Sequence, residues 1–156
     1  MKSSAPAFQR TLPGVEFERL LVQTAQRSAP RFSRVAQPMQ YKPMGVFFSE
    51  ALALVAAAEL VGATHLIESG TAQGQSTELL ARYFRSRLNI TTIDADATYG
   101  LFEKTKRRLA KHPSIRCLRG DSFVVIPQIL RTLPSGSRAL VFVDGPKGRL
   151  GRLLAL

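Results

Sequence analysis

"HLIESGTAQGQST", residues His65 to Thr77, is the stretch on which the reading of this chain turns. An apolar run ends at Glu68, two glycines follow at Gly70 and Gly74, and the pair Ser76-Thr77 comes next. Glycine lets a backbone turn tightly and lets a ligand approach with no Cβ in the way. Beyond such a turn, the first N–H groups of a helix lack intrahelical partners and carry the positive end of the dipole. The segment therefore reads as strand, tight turn and helix start, and the turn has two readings. It is either a pocket for a nucleotide-like ligand or a connection with Ser76 or Thr77 as helix cap.

Working outward, the same alternation repeats. "FFSEALALVAAAELVG" from Phe47 predicts a helix stopped near Gly62, and "THLIES" a short strand. "QSTELLARYFRSR" places Leu79, Leu80, Tyr83 and Phe84 at helical spacing. "NITTID" is a strand rich in β-branched residues, and "TYGLFEKTKRRLAKH" a helix with a basic outer face. "SIRCLRG" predicts a third strand, "SFVVIPQILRTLP" a helix bent or weakened by Pro127, and "RALVFVD" a fourth strand apolar almost throughout. "GPKGRLGRLLAL" starts what reads as another helix. Strands alternating with helices imply βαβ units, right-handed crossovers and a doubly wound, Rossmann-like α/β domain with helices on both faces.

Residues 1–44 read as a leader, with one short helix in "VEFERLLVQTAQR" and a proline-rich loop in "SAPRFSRVAQPMQYKPMG". The domain proper is expected over 45–156. The N-terminus has no apolar core of a secretory signal, and no apolar run is long enough to span a bilayer, so the expectation is a cytoplasmic protein.

The chain has 156 residues, 45% of them apolar, enough for one domain with a core. Its net charge of +11 favours anionic partners without naming one. Lys104, Lys106, Arg107, Arg108 and Lys111 would reach nucleic-acid phosphates, or form a solvated helix face. One cysteine, Cys117, excludes an internal disulfide and reads as a buried structural thiol. Two histidines, His65 and His112, argue against a histidine-rich metal site.

In doubly wound sheets, ligands sit beyond the carboxyl ends of the strands. Glu68, Asp94, Asp121 and Asp144 stand at or just after the four strand ends. The loop lacks the Lys of a phosphate loop and the Gly-x-Gly-x-x-Gly of a dinucleotide fold. "LIESGTAQG" instead resembles the first motif of class I S-adenosylmethionine-dependent methyltransferases, over roughly Val46 to Gly148. That resemblance implies a strand order 3-2-1-4. It implies that Glu68, Gly70 and Gly74, with Thr71 between the glycines, shape the pocket for the methionine end of the cofactor. Asp94 would bind the ribose hydroxyls, and Asp121 and Ser122 would flank the adenine. Asp121 also reads as a helix cap.

Asp144 would floor the site and is the candidate general base. "ALVFVDGPKG" is similar to the strand that carries a Mg²⁺ ligand in metal-dependent O-methyltransferases. Their further ligands follow a fifth strand not visible in this chain, so no complete divalent-metal site is expected. The family's full fold has seven strands, and only four are visible here. The fourth strand is then expected to be an edge open to self-association or a partner. The resemblance implies methyl transfer to a hydroxyl of a small molecule or sugar. Two alternatives stand beside it: a truncated, non-catalytic binding module, and a nucleic-acid (RNA) methyltransferase or RNA-binding protein.

Overall fold

A computed structural model describes residues 14–40, 45–95 and 100–145. Four parallel strands form one sheet: β1 (His65–Ser69), β2 (Asn89–Asp94), β3 (Ile115–Arg119) and β4 (Ala139–Val143). Their order is β3-β2-β1-β4, the order expected. Among the described residues five helices accompany them: α1 (Gly14–Ala36), α2 (Phe48–Leu60), α3 (Gln75–Phe84), α4 (Phe102–Leu109) and α5 (Ser122–Thr132). A single 3-10 turn, Arg85–Arg87, extends α3. The suggested helix after Gly145 lies outside the described residues.

Successive residues of a strand point to opposite faces, and β1 displays this cleanly. Leu66 joins a cluster with Val55 of α2, Leu79 and Leu80 of α3, and Phe32 of α1. Its neighbour Ile67 joins Ile93 and Ile126 on the face covered by α5. The sheet is thus covered on both sides, with α1, α2 and α3 on one face and α5 on the other. Cys117 is only half-buried, less enclosed than its alternating pattern suggests.

Two helices depart from the sequence reading. The helix expected to end before "SAPRFSRVA" instead runs through Pro30 to Ala36. Proline inside a helix removes one hydrogen bond and crowds the preceding turn. Tertiary contacts hold this one in place. Ser28 Oγ donates to Glu59 Oε2 at 2.6 Å, the Arg31 guanidinium sits 4.5 Å over the Tyr83 ring, and Phe32 and Ala36 are buried. Tyr83 Oη donates to the other Glu59 oxygen at 2.9 Å, so one carboxylate ties α1 to α3 through α2. Helix α4 begins at Phe102, later than the pattern from Thr98 suggests. Gly100, just before it, has φ of +57°, which no right-handed helix contains.

No helix among the described residues is long and apolar enough to cross a membrane.

Candidate functional site

The four strands end in register. Ser69 pairs with Ile93 on one side and Val143 on the other, and Asp94 pairs with Arg119. The backbone then departs from each strand under hydrogen-bond control. Gly70 N–H donates to the Ile93 carbonyl (2.8 Å), Gly120 N–H to the Asp94 carbonyl (3.0 Å), and Gly145 N–H to the Ser69 carbonyl (2.8 Å). Between these departing chains lies a cleft of about 440 Å³, within the range of roughly 300–1,000 Å³ usual for small-molecule pockets. Gly70, Asp94, Asp121 and Ser122 line it, as do Ser69, Phe123 and Gly145.

The β1 loop is built by close backbone approach. Gly70 has φ of +100°, and a Cβ there would stand 2.9 Å from the Gly145 nitrogen. Gly74 has φ of +62°, and its Cβ would meet Thr105 Cγ2 at 2.8 Å and Leu109 Cδ1 at 2.9 Å on α4. The glycine spacing therefore meets two different needs: Gly70 lets the β1 and β4 loops touch, and Gly74 lets α4 press against the start of α3. Ala72, between them, also has positive φ, a conformation that costs a non-glycine residue energy. Its N–H donates to Asp94 Oδ2 at 2.7 Å, which fixes both the loop and the direction of the carboxylate.

Helix α4 clamps the loop from outside. Thr105 Oγ1 donates to the Ala72 carbonyl at 3.0 Å, and the Arg108 guanidinium donates to the Gln73 carbonyl. Arg108 thus leaves the solvated basic face, on which Lys104, Lys106 and Arg107 remain exposed.

The expected site residues divide into three groups. Gly70, Asp94, Asp121 and Ser122 come together on the cleft. Glu68, Thr71 and Gly74 stand behind it, buried. Glu68 accepts hydrogen bonds from Ser76, Thr77 and Thr92, the last at 2.7 Å. Because Thr92 donates to Glu68, Thr71 donates in turn to Thr92 at 2.7 Å. Burial pushes the Glu68 carboxyl above its ordinary range; the three hydroxyls pull it down, and the charge of Asp144 pushes it up. Its place is that of a buried anchor joining β1, β2 and the first turn of α3. Asp144 forms the third group. It lines a neighbouring groove of about 500 Å³ between α1, α2 and β4, together with Phe17, Leu54 and Phe142.

Asp121 caps α5, accepting the Phe123 N–H at 2.9 Å, while also lining the cleft. The two readings of this residue are compatible. Sequence reasoning places Ser69 at the end of the first strand without giving it a role, and it missed Phe123. Ser69 donates to the Gly145 carbonyl and is hydrogen-bonded to the Ser122 hydroxyl at 2.7 Å, tying β1, β4 and α5 together at the cleft floor. Strand parity held the signal: if Glu68 faces α3, Ser69 must face the other side. Among the described residues, no group of three His, Cys, Asp or Glu converges as a metal-ligand set.

No protein-family model matches the chain, and no curated protein matches it at a significant level.

Proposed function

We propose that this chain binds S-adenosylmethionine in the cleft at the carboxyl ends of β1, β2 and β3, and that its chemistry is methyl transfer to a hydroxyl of a small molecule or sugar. One observation carries the reading. The turn after β1 and the Asp94 carboxylate border the same cleft and are joined through the Ala72 N–H. A carboxylate fixed at the end of the second strand suits the paired hydroxyls of a ribose, since charged acceptors make the stronger hydrogen bonds. Asp121 and Ser122 would meet polar edges of the adenine, and the Phe123 ring offers an apolar wall to its face.

When bound, the cofactor supplies a methyl group on a positively charged sulfur. The chain's own task is then positioning and water exclusion. Gly145 borders the cofactor cleft, while Asp144, the preceding residue, borders the adjoining groove. An acceptor hydroxyl lying in that groove would have the Asp144 carboxylate as its proton acceptor. The lining from Phe17, Leu54 and Phe142 favours an acceptor with an apolar body.

Calorimetric titration with S-adenosylmethionine and with its demethylated product tests the binding step. Saturable heat is expected from both. Asp94→Asn retains an oxygen for the Ala72 N–H but loses the charge, so affinity should fall by about tenfold or more. Absence of binding to the wild-type protein sinks the proposal. Binding without turnover on any hydroxyl acceptor leaves the non-catalytic module as the surviving reading.

A further inference from the structure

A second hollow lies at the amino ends of the strands, away from the cleft. Its volume is about 540 Å³, and Arg82, Arg85, Ser86, Asn89, His112 and Ser114 line it. Asn89 opens β2, and Ser114 immediately precedes β3. Among the described residues no carboxylate belongs to its lining. Glu78, buried just behind, is surrounded by cations: Arg82 Nη2 lies 2.8 Å away, Lys111 Nζ 3.0 Å away, and the Arg108 guanidinium is in direct contact. Among the described residues, this one carboxylate is the only acid that these three side chains pair with. His112 Nε2 is buried and has no hydrogen-bond partner there. Its nearest acid is Glu78, 3.8 Å away, and burial, then the charges of Lys111, Arg82 and Arg108, lower the imidazole below its usual range.

Arg85 adds a second oddity. It ends α3 with φ of +56° and ψ of −130°, a conformation that glycine adopts without cost and that an L-residue adopts at roughly 1–3 kcal/mol. Its guanidinium makes no hydrogen bond or ion pair with another described residue. Arg85 is exposed, so water solvates its guanidinium; the backbone strain is the cost that no described contact offsets. An anion in the hollow would pair with this guanidinium and lessen the repulsion from the neighbouring cations.

We infer that this hollow is a binding site for a phosphate group, gripped by the Arg85 guanidinium and by Arg82 Nη1, since Arg82 Nε and Nη2 already donate to Glu78, with hydroxyl and amide donors from Ser86, Ser114 and Asn89. Guanidinium forks match tetrahedral oxyanions in charge and geometry. Among the described residues no aromatic side chain lines the hollow, so they offer no stacking platform for a base, and the recognition proposed is of the phosphate alone. That phosphate comes either from a small phosphorylated molecule or from a polynucleotide backbone. The inference is independent of the methyl-transfer reading.

Titration of the full chain with inorganic phosphate and pyrophosphate, at ionic strength held constant with chloride, tests it. Fluorescence anisotropy with a labelled short single-stranded RNA forms the second arm. Saturable binding is expected, and Arg85→Gly should weaken it by about fivefold or more. The same variant removes the backbone strain, so its ligand-free melting temperature should be no lower than wild type. Should Arg85→Gly fail to fold, Arg85→Gln is read in its place and should show the same loss. RNA binding that inorganic phosphate displaces, and that falls steeply with salt, identifies a polynucleotide. Phosphate binding that RNA does not compete identifies a small molecule. Saturation by none of the probes, or unchanged affinity in both Arg85 variants, overturns the inference.

Discussion

Removal of the Glu68 side chain offers the sharpest measurement of how the cleft is held. Its carboxylate is fully buried and accepts from three hydroxyls, on Ser76, Thr77 and Thr92. Glu68→Ala leaves those hydroxyls without their acceptor and opens a polar cavity. Each buried group left unsatisfied costs about 1–3 kcal/mol, and partial re-pairing of the freed hydroxyls with neighbouring groups recovers some of it. A net loss of roughly 3–6 kcal/mol follows, a large part of the total stability of about 5–15 kcal/mol of a domain. Glu68→Gln keeps the volume and can both accept from and donate to hydroxyls, so it should cost much less. The two variants also differ in pH response. Burial raises the folded-state value of Glu68 above the ordinary 4.5. Between those two values the folded protein keeps a proton that the unfolded chain has released. Wild-type stability contributed by this group is therefore complete below pH 4.5 and declines as pH rises through the window, by up to about 1.4 kcal/mol per pH unit. Urea denaturation followed by circular dichroism, at several pH values from 4 upward, reads both effects. The stability of Glu68→Gln minus that of wild type should grow more favourable with rising pH. A Glu68→Ala cost below about 1 kcal/mol, or a difference between Glu68→Gln and wild type that is flat or falls with pH, would refute the reasoning.

Gly70→Ala forces a Cβ to within 2.9 Å of the Gly145 nitrogen at a φ of +100°. It should destabilise by roughly 2–5 kcal/mol and weaken binding of the proposed cofactor more than Asp94→Asn does; denaturant melts and titration calorimetry check the two parts. Glu78→Gln leaves Arg82, Arg108 and Lys111 facing each other without their counter-charge. Because Arg82 and Lys111 are substantially solvated, the cost should be about 1–3 kcal/mol rather than that of a wholly buried pair. Added phosphate should restore part of it in a thermal melt, and a melt insensitive to phosphate would count against the charge-cluster argument.

The sheet and its helices were legible because their signals are local. Period-two and period-3.6 apolar spacing, β-branched runs and glycine stops are written in a few consecutive residues, and β1, β2, β3 and β4 all appear where those signals place them. The continuation of α1 through Pro30 was not legible. What keeps it helical is Glu59, thirty-one positions away from Ser28 and outside any local pattern. The side chains that meet at the cleft were legible in type but not in direction. Glu68 and Ser69 are adjacent polar residues at one strand end. Only the face assigned by Leu66 and Ile67 tells which of them turns toward α3 and which toward the cleft.

The same reasoning changes what the glycine motif means. Alone, Gly70 and Gly74 would permit many turns. The loop takes one shape because three separate elements grip it. The backbone of β4's exit meets Gly70, Asp94 at the end of β2 holds Ala72, and α4 binds Ala72, Gln73 and Gly74 through Thr105, Arg108 and Leu109. Of these, α4 has no place in the motif, and in the sequence its arginines look like surface charge. Yet Arg108 also pairs with Glu78, so one side chain joins the cleft loop to the charge cluster around that carboxylate. A change of charge at Glu78 therefore reaches the loop directly, through Arg108 and the Gln73 carbonyl.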